Sequence, residues 1–192
     1  MKETFYKVVN NFKNETLKEF AVYCADRFPK YFWEIPASTS GKYHPITDLG
    51  EGGLVRHSLM TYKVVTDLIE MSDRELDTET KETLQFSALF HDCCKCGTDE
   101  NSIDHTSHEH PLIASRFLST KYCEFSAGTN KKVNINAICS CIESHMGKWN
   151  TSKYSDVVLP TPKDWREILV HQADYIASRK YCLFDEEFFK NF

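Results

Sequence analysis

Apolar residues recur every three to four positions in five segments of the chain, the spacing that gives a helix one apolar face. The five predicted helices cover residues 54–71, 78–92, 110–122, 132–146 and 163–180. Segment 3–28 shows the same spacing with a slip after Phe12, so it predicts two helices, and Pro29 limits the second. There is no pair of alternating segments typical of strands, no internal repeat and no low-complexity tract. The pattern predicts an all-α fold.

The connecting segments are few, because the sequence has only 7 glycines and 6 prolines. Residues 29–53 form the longest predicted loop, and loops of such length are often functional. A polar stretch lies at 97–109, and a loop with tryptophan and proline lies at 147–162. The last residues, "DEEFFKNF", either extend the final helix or fray.

Composition restricts the class of protein. The 192 residues have a net charge of −5, and 41% of them are hydrophobic. These values suit a single domain with a substantial core and exclude disorder for most of the chain. The mild acidity argues against a protein dedicated to duplex DNA, which would carry a basic excess. A small basic pocket for a phosphorylated ligand remains compatible with it.

The expected location is the cytoplasm. No apolar run approaches the roughly 20 residues that span a bilayer, and the N-terminus has no apolar leader. The 8 cysteines are then expected to be thiols or metal ligands rather than disulfides. A zinc knuckle from Cys93, Cys94 and Cys96 with Cys139 and Cys141 is weakly indicated, because paired C-x-x-C units are missing. Buried apolar thiols are the favoured interpretation.

Each of the five central predicted helices carries a histidine or an aspartate on its apolar stripe. These residues are His57, His91 with the adjacent Asp92, His110, His145 and Asp174. Any one such histidine alone is more often a hydrogen-bonded core residue than a metal ligand. Five faces that converge would satisfy these buried groups together by sharing metal ions. Imidazole and carboxylate suit Mn, Fe, Zn, Ni or Co, and six ligands are enough for two ions.

Six segments of the sequence together carry a resemblance to a known protein family. They are "PASTSGKYHP", "GGLVRHSL", "ALFHDCCKCG", "HPLIAS", "CIESHMGKWN" and "ILVHQADYIAS". Together they resemble the HD superfamily of metal-dependent phosphohydrolases over residues 36–180. The last two segments are similar to the HD domain of bacterial 3′-to-5′ exoribonucleases, and the first resembles uncharacterised HD proteins, including phage-encoded ones. For a phage-encoded protein the location would be the host cytoplasm.

The resemblance implies a single helical HD domain at 36–192, with residues 1–35 as a helical segment packed on it. Cys94 departs from the family pattern, which has a small residue before the lysine, and it crowds a turn near the substrate. No accompanying nucleic-acid-binding domain is visible, which weakens an RNA substrate.

The resemblance also implies residue roles. One metal ion would be bound by His57, His91, Asp92 and Asp174, and a second by Asp92, His110 and His145. Asp92 would bridge the two ions, which would activate a water for attack on phosphorus. Lys95, three residues after Asp92, is the first choice for a cation that contacts phosphate, against the alternative of a solvated helix end.

The remaining candidate substrate-binding residues have weaker support. Arg56 precedes His57 and either reaches phosphate or forms a surface salt bridge. Lys42 and His44 either cap the pocket from the 29–53 loop or decorate a surface turn. Trp149 either stacks on a base or packs under its loop. His171, one turn before Asp174, is expected to orient it rather than to bind metal.

The leading functional hypothesis is hydrolysis of a small-molecule phosphate ester, such as a nucleotide. A phosphodiesterase or exoribonuclease acting on a cyclic nucleotide or short single-stranded RNA is a subsidiary version. A di-iron oxygenase of the HD type and a nucleotide-sequestering module without turnover are the alternatives from other classes. The sequence leaves the substrate, the native metal and the oligomeric state open.

Overall fold

The computed structural model describes residues 1–38, 40–98, 105–183 and 186–190. Its helices are α1 (Lys2–Asn10), α2 (Glu15–Ala25), α3 (Gly53–Met71), α4 (Thr78–Phe90), α5 (His110–Thr129), α6 (Ile135–Ser144), α7 (Trp165–Ala177) and α8 (Glu186–Lys190). No strand occurs in these ranges. The all-α prediction and the break between two N-terminal helices are confirmed.

Side-chain caps explain where several helices begin. The side chains of Asn14, Asp77 and Asn134 each accept a backbone N–H in the first turn of α2, α4 and α6, respectively. These contacts satisfy donors that a helix leaves unpaired. The Asn134 cap places the start of α6 after the predicted residue 132.

Five helices surround the centre of the bundle. Helix α3 packs along α7 and α4, while α6 packs along α5, α4 and α7. A smaller apolar cluster between α3, α4, α6 and α7 includes Val65, Leu84, Cys141 and Val170. This packing brings the polar positions of these helices to one interior region.

The N-terminal segment shares the main apolar core. Phe20 of α2 stacks on Phe86 of α4 at 5.6 Å between ring centroids, and Phe86 stacks on Phe90 at 4.0 Å. Phe5 of α1 contacts Phe90 at 5.5 Å. Burial of each such ring stabilises the fold by roughly 1.5–3 kcal/mol. The division into 1–35 and 36–192 stays a prediction.

The long predicted loop contains two 3₁₀ turns, Lys30–Trp33 and Ile46–Asp48, and a third turn, Gly147–Trp149, follows α6. Gly53 begins α3 where the loop returns to it, and a Cβ there would lie 2.0 Å from the Asp48 carbonyl oxygen. Glycine is therefore required for this close approach. Every helix in the described ranges is too short or too polar to cross a membrane.

Candidate metal centre

The six side chains predicted as metal ligands meet in the interior of the bundle. They are His57 within α3, His91 and Asp92 directly after α4, His110 at the first position of α5, His145 directly after α6, and Asp174 within α7. All are buried except Asp174, whose side chain is 19% exposed. The cluster therefore opens toward solvent on the side of α7.

One group of atoms gathers around His57, His91 and Asp174. The Nε2 atom of His57 lies 3.0 Å from Oδ1 of Asp174 and 3.3 Å from Nε2 of His91. The Nε2 atom of His91 is 3.5 Å from the same Asp174 oxygen. Three ligand-type atoms thus face one point, as a bound cation requires.

A second group gathers around the other oxygen of Asp92. Oδ1 of Asp92 lies 3.1 Å from Nε2 of His110 and 3.9 Å from Nε2 of His145. Oδ2 of Asp92 faces the first group, 3.4 Å from Nε2 of His91. The carboxylate therefore stands between the two groups, with one oxygen toward each.

Backbone carbonyls fix the orientation of three of the four histidines. The Nδ1 atoms of His91, His110 and His145 lie 2.8, 2.7 and 2.7 Å from the carbonyl oxygens of Ala88, Ser107 and Ile142. Because a carbonyl only accepts, each Nδ1 carries the proton and donates it. Each ring then turns its Nε2 atom to the centre, the arrangement typical of histidine metal ligands.

These contacts provide a test of whether a metal fits. The Nε2 atoms of His110 and His145 lie 3.2 Å apart. Burial, reinforced by His91 and His110, lowers the pKa of His145 to about 3, so this ring stays neutral near neutral pH. Two imidazole nitrogens face each other at this distance, and a cation between them would bind both. The donor set fits a metal of the type that binds imidazole and carboxylate.

Charge at the centre is already arranged for a cation. Burial opposes the protonation of His91, but Asp92 and Asp174 outweigh that effect and raise its pKa to about 10. Burial opposes ionisation of Asp92, yet Lys95 and His91 hold its pKa well below the usual value. The pKa of Asp174 is likewise held low, against burial, by His57 and His91. Both carboxylates are therefore ionised, as metal ligands must be.

Lys95 is the cation of the centre. Its Nζ lies 2.5 Å from Oδ2 of Asp92, and only 8% of the residue is exposed. The turn that carries it is held by Tyr31, whose hydroxyl donates to the Gly97 carbonyl at 2.5 Å and accepts from the Cys96 N–H at 3.0 Å. Lys95 is thus a fixed ammonium and not a solvated helix end.

The centre forms the floor of a cavity of about 400 Å³. One wall carries Tyr43, Trp149, Tyr175 and Arg179. The Trp149 and Tyr175 rings stack at 5.4 Å with an interplanar angle of 14°. The guanidinium of Arg179 lies 4.2 Å from the Tyr175 ring and 5.3 Å from the Tyr43 ring.

Two lysines continue this row outward. Nζ of Lys42 lies 5.1 Å from the Tyr43 ring, and Nζ of Lys148 lies 4.8 Å from the Trp149 ring. We call these side chains the aromatic–cation strip; its members are Lys42, Tyr43, Arg179, Tyr175, Trp149 and Lys148. In the described part of the chain, no carboxylate pairs with any of its three cations, although Arg179 donates to the Tyr175 carbonyl and to the Ser178 hydroxyl.

The other predicted substrate-binding residues lie in different places. His44 lines the cavity, and its ring contacts the His57 ring at 4.8 Å. Lys42 reaches only the outer end of the strip. Arg56 does not line the cavity; its Nε donates to the Thr47 carbonyl at 2.7 Å. A loop carbonyl without a helical partner needs a donor, and Arg56 supplies it, so Arg56 holds the loop and does not reach the cavity.

His171 also has a role other than the expected one. Its Nδ1 donates to the carbonyl of His145 at 2.6 Å, so it holds the backbone of His145 rather than Asp174. Gly147 makes room for this ring, because a Cβ there would lie 2.2 Å from Cε1 of His171. Cysteine is missing from the metal-compatible groups found in the described ranges, and the thiols of Cys93, Cys94 and Cys96 are buried.

The fold and the cluster together define a helical metal-binding domain. The sequence profile of the HD domain matches residues 54–179, the stretch that contains all six clustered side chains. The chain belongs to the HD domain family, whose members are in general metal-dependent hydrolases. No curated protein and no solved structure matches the chain significantly.

Sequence reasoning missed four residues of the site. Tyr43, Tyr175 and Arg179 line the cavity, and Asp48 lies buried behind His57. A signal existed for Tyr175, which follows Asp174 directly in the sequence. Asp48 had none, because it lies in a loop without periodic pattern.

Proposed function

We propose that the protein is a phosphohydrolase that cleaves a phosphoester of a nucleotide or of a nucleotide-like small molecule. The observation that carries this proposal is the placement of Lys95, a nearly buried ammonium on the same cavity floor as the metal-compatible cluster. A fixed cation next to metal ligands favours a substrate whose reacting group is anionic. Phosphate oxygens meet that requirement.

We further propose that the centre takes two divalent transition-metal ions, from among Mn, Fe, Co, Ni and Zn. His57, His91, Asp92 and Asp174 would hold one ion, and Asp92, His110 and His145 would hold the other. The two oxygens of Asp92, which face opposite groups, support its role as the bridge. When bound, such ions supply Lewis-acid chemistry: they activate a water and bind phosphate oxygens.

Lys95 and the strip would then position the substrate. Lys95 would exchange its contact with Asp92 for a phosphate oxygen and offset the charge that develops in the transition state. The exposed ring of Trp149 would stack on a base, which is worth about 1–3 kcal/mol for each base stacked. The cavity volume of about 400 Å³ suits a ligand of nucleotide size.

A second substrate form, a phosphodiester in short single-stranded RNA, is favoured by the extent of the strip. Alternating rings and cations are the means by which proteins bind single strands without reading sequence. The strip continues beyond the cavity at Lys42 and Lys148, farther than one nucleotide needs.

The experiment is a hydrolysis screen of the purified protein, reconstituted separately with Mn²⁺, Co²⁺, Ni²⁺, Zn²⁺ and anaerobic Fe²⁺. Substrates are nucleoside monophosphates, cyclic nucleotides and short RNA, and an Asp92→Ala sample prepared in parallel reports contaminating phosphatase. We expect metal-dependent product release that is absent from the Asp92→Ala sample.

Three results would replace this proposal. Oxygen consumption by the Fe²⁺-loaded protein without any ester hydrolysis would establish the oxygenase. Tight nucleotide binding without turnover would establish a sequestering module. Activity that is equal with and without metal would exclude the metal centre from the reaction.

A further inference from the structure

Three buried polar atoms behind the metal centre face one another without a hydrogen-bond partner in the described part of the chain. They are Nδ1 of His44, Oδ2 of Asp48 and Nδ1 of His57. The Asp48 oxygen lies 3.8 Å from the first nitrogen and 4.0 Å from the second. Asp48 is 1% exposed, and a buried carboxylate that lacks a partner for one oxygen is costly.

His57 differs from the other three clustered histidines in how its Nδ1 is placed. The other three lie at helix ends, where the carbonyl three residues earlier accepts from Nδ1. His57 lies within α3, where the carbonyls of the preceding turn belong to the helix. Its Nδ1 therefore needs an acceptor from another element.

The loop before α3 brings Asp48 to this position. The Asp48 carbonyl accepts from the N–H of Ala37 at 2.9 Å, and its own N–H donates to the Pro45 carbonyl at 3.0 Å. Gly53 lets the loop approach α3 closely, as described above. Asp48 is thereby fixed beside Gly53, which lies one helical turn before His57 in α3, and its Oδ2 faces the His57 ring.

We propose that Asp48 is a positioning residue for the metal ligand His57. The Nδ1–H of His57 donates to one bridging water, which His44 also contacts and which donates to the Asp48 carboxylate. This chain of hydrogen bonds directs the Nε2 lone pair of His57 to the metal centre. A separation of 3.8–4.0 Å is too long for a direct hydrogen bond and suits one water between the atoms. Buried waters typically make about three hydrogen bonds to groups of this kind.

This inference rests on the metal centre proposed above, so its test includes a readout that needs no metal. The first measurement is histidine ¹⁵N NMR of the metal-free protein, which reports which ring nitrogen of His57 carries the proton. The second is the Mn²⁺ dissociation constant and stoichiometry, obtained from the EPR signal of free Mn²⁺. The variants are Asp48→Ala, which removes the acceptor, and Asp48→Asn, which retains an acceptor oxygen.

We expect His57 to be the Nδ1–H tautomer in the wild type and a mixture of tautomers in Asp48→Ala. Mn²⁺ affinity should fall about 10- to 100-fold in Asp48→Ala, the usual effect of losing such a partner. Asp48→Asn should lie between the two. Asp67→Ala is the matched control, because it removes from α3 a partly exposed carboxylate that pairs with Lys63, and it should change neither measurement.

Distinct results overturn the two proposals. A folded Asp48→Ala or Asp48→Asn protein with an unchanged His57 tautomer and unchanged Mn²⁺ affinity contradicts the positioning role. Three Mn²⁺ ions in the wild type and two in Asp48→Ala would make the His44, Asp48 and His57 group a metal site and also overturn that role. If the wild type binds no divalent metal while the tautomer responds to Asp48, the proposed function fails and the hydrogen-bond role of Asp48 stands.

Discussion

Asp92 is the residue that joins the two halves of the metal centre, because its two oxygens face opposite groups of histidines. We predict that Asp92→Ala loses bound metal and abolishes turnover. It should also lower stability by about 3–5 kcal/mol, since Lys95 and protonated His91 are left buried without their partner. Metal analysis, activity measurements and urea melts test the three effects.

The control for this variant is Asp73→Ala, which makes the same change of charge at an exposed position. It should retain the metal content and activity of the wild type. A folded Asp92→Ala protein that binds two ions and turns over substrate would contradict the assignment of Asp92 as the bridge.

Lys95 contributes charge but cannot bind metal while it is protonated. We predict that Lys95→Ala leaves metal content nearly unchanged and lowers kcat/KM. The loss of one charge-assisted contact in the transition state corresponds to about 2–4 kcal/mol, or roughly 30- to 1000-fold. Lys95→Arg should retain part of the activity. Unchanged kinetics in Lys95→Ala would exclude a phosphate contact, and a parallel loss of metal would show that the lysine is structural.

At the residue scale, the sequence identifies a candidate ligand where a histidine or aspartate occupies a position of a periodic apolar stripe. His57 and Asp174 stand out because polar groups interrupt the apolar stripes of α3 and α7. Asp48 and Arg179 do not, because a loop position and a residue after a helix end carry no period. Their partners are set by tertiary contacts that local sequence does not encode.

At the element scale, the predicted helix centres agree with the structure better than the predicted ends. The apolar pattern predicts helices to residues 92 and 146, whereas α4 ends at Phe90 and α6 at Ser144. The pattern continues because the turns that follow are also buried, as Cys93 shows. Buried residues continue the apolar pattern beyond the end of a helix, so the pattern alone does not show where the helix ends. It therefore does not reveal that Nδ1 of His91 and Nδ1 of His145 donate to backbone carbonyls in the last turns of α4 and α6.

Helix α7 carries Asp174 and begins with a capping box. The Asp164 side chain accepts from the backbone N–H groups of Arg166 and Glu167, and the Glu167 side chain reaches back to the Asp164 N–H. We predict that Asp164→Ala destabilises the protein by about 1 kcal/mol at pH 7. Urea melts of the metal-free protein, with and without the substitution, measure this difference.

The effect of Asp164 should depend on pH. Hydrogen bonds from Arg166 and the helix N-terminus lower the pKa of the Asp164 carboxyl. A group whose folded pKa is lowered stabilises the protein above its unfolded pKa, about 3.9, and loses that contribution as the pH falls through the folded value. The difference between wild type and Asp164→Ala should therefore shrink below about pH 4. A difference that grows in acid would contradict the capping role.

At the scale of the whole molecule, the ligands come from or directly follow five helices, so metal binding and folding are coupled. We predict that free metal at 100 times its dissociation constant stabilises the protein by about 2.7 kcal/mol per site. For a chain of this size that corresponds to a Tm increase of about 5–11 °C per site. Calorimetry with chelator, and after metal is restored, measures it. An Asp174→Asn variant should show a smaller increase, and no increase in the wild type would argue against a metal site.

The aromatic–cation strip is a property of the whole molecule, because its members come from three distant parts of the chain: 42–43, 148–149 and 175–179. The net charge of the chain, −5, gives no indication of this row of cations. Composition leaves room for a basic pocket, but it cannot indicate that three cations and three rings form one row. That arrangement depends on how the loop before α3, the turn after α6 and the end of α7 are packed together.

The strip allows the two proposed substrate forms to be separated by salt. Binding of a single strand to Z cations weakens with salt with a log–log slope of about −0.7Z, so three cations predict a slope of about −2 for oligoadenylate. Arg179→Gln should reduce the magnitude of that slope by about 0.7, and Trp149→Ala should weaken binding by about 1–3 kcal/mol at all salt concentrations. Fluorescence anisotropy of labelled oligoadenylate with the metal-free protein measures both effects. Lys13→Gln, at an exposed position, is a control that matches the change of charge.

A mononucleotide confined to the cavity would instead meet Arg179 alone among the strip cations, because Lys42 and Lys148 lie outside the cavity. If oligoadenylate binds with the same affinity and the same slope as the mononucleotide, the outer part of the strip does not bind substrate, and the small-molecule form of the proposed function is favoured over the single-strand form.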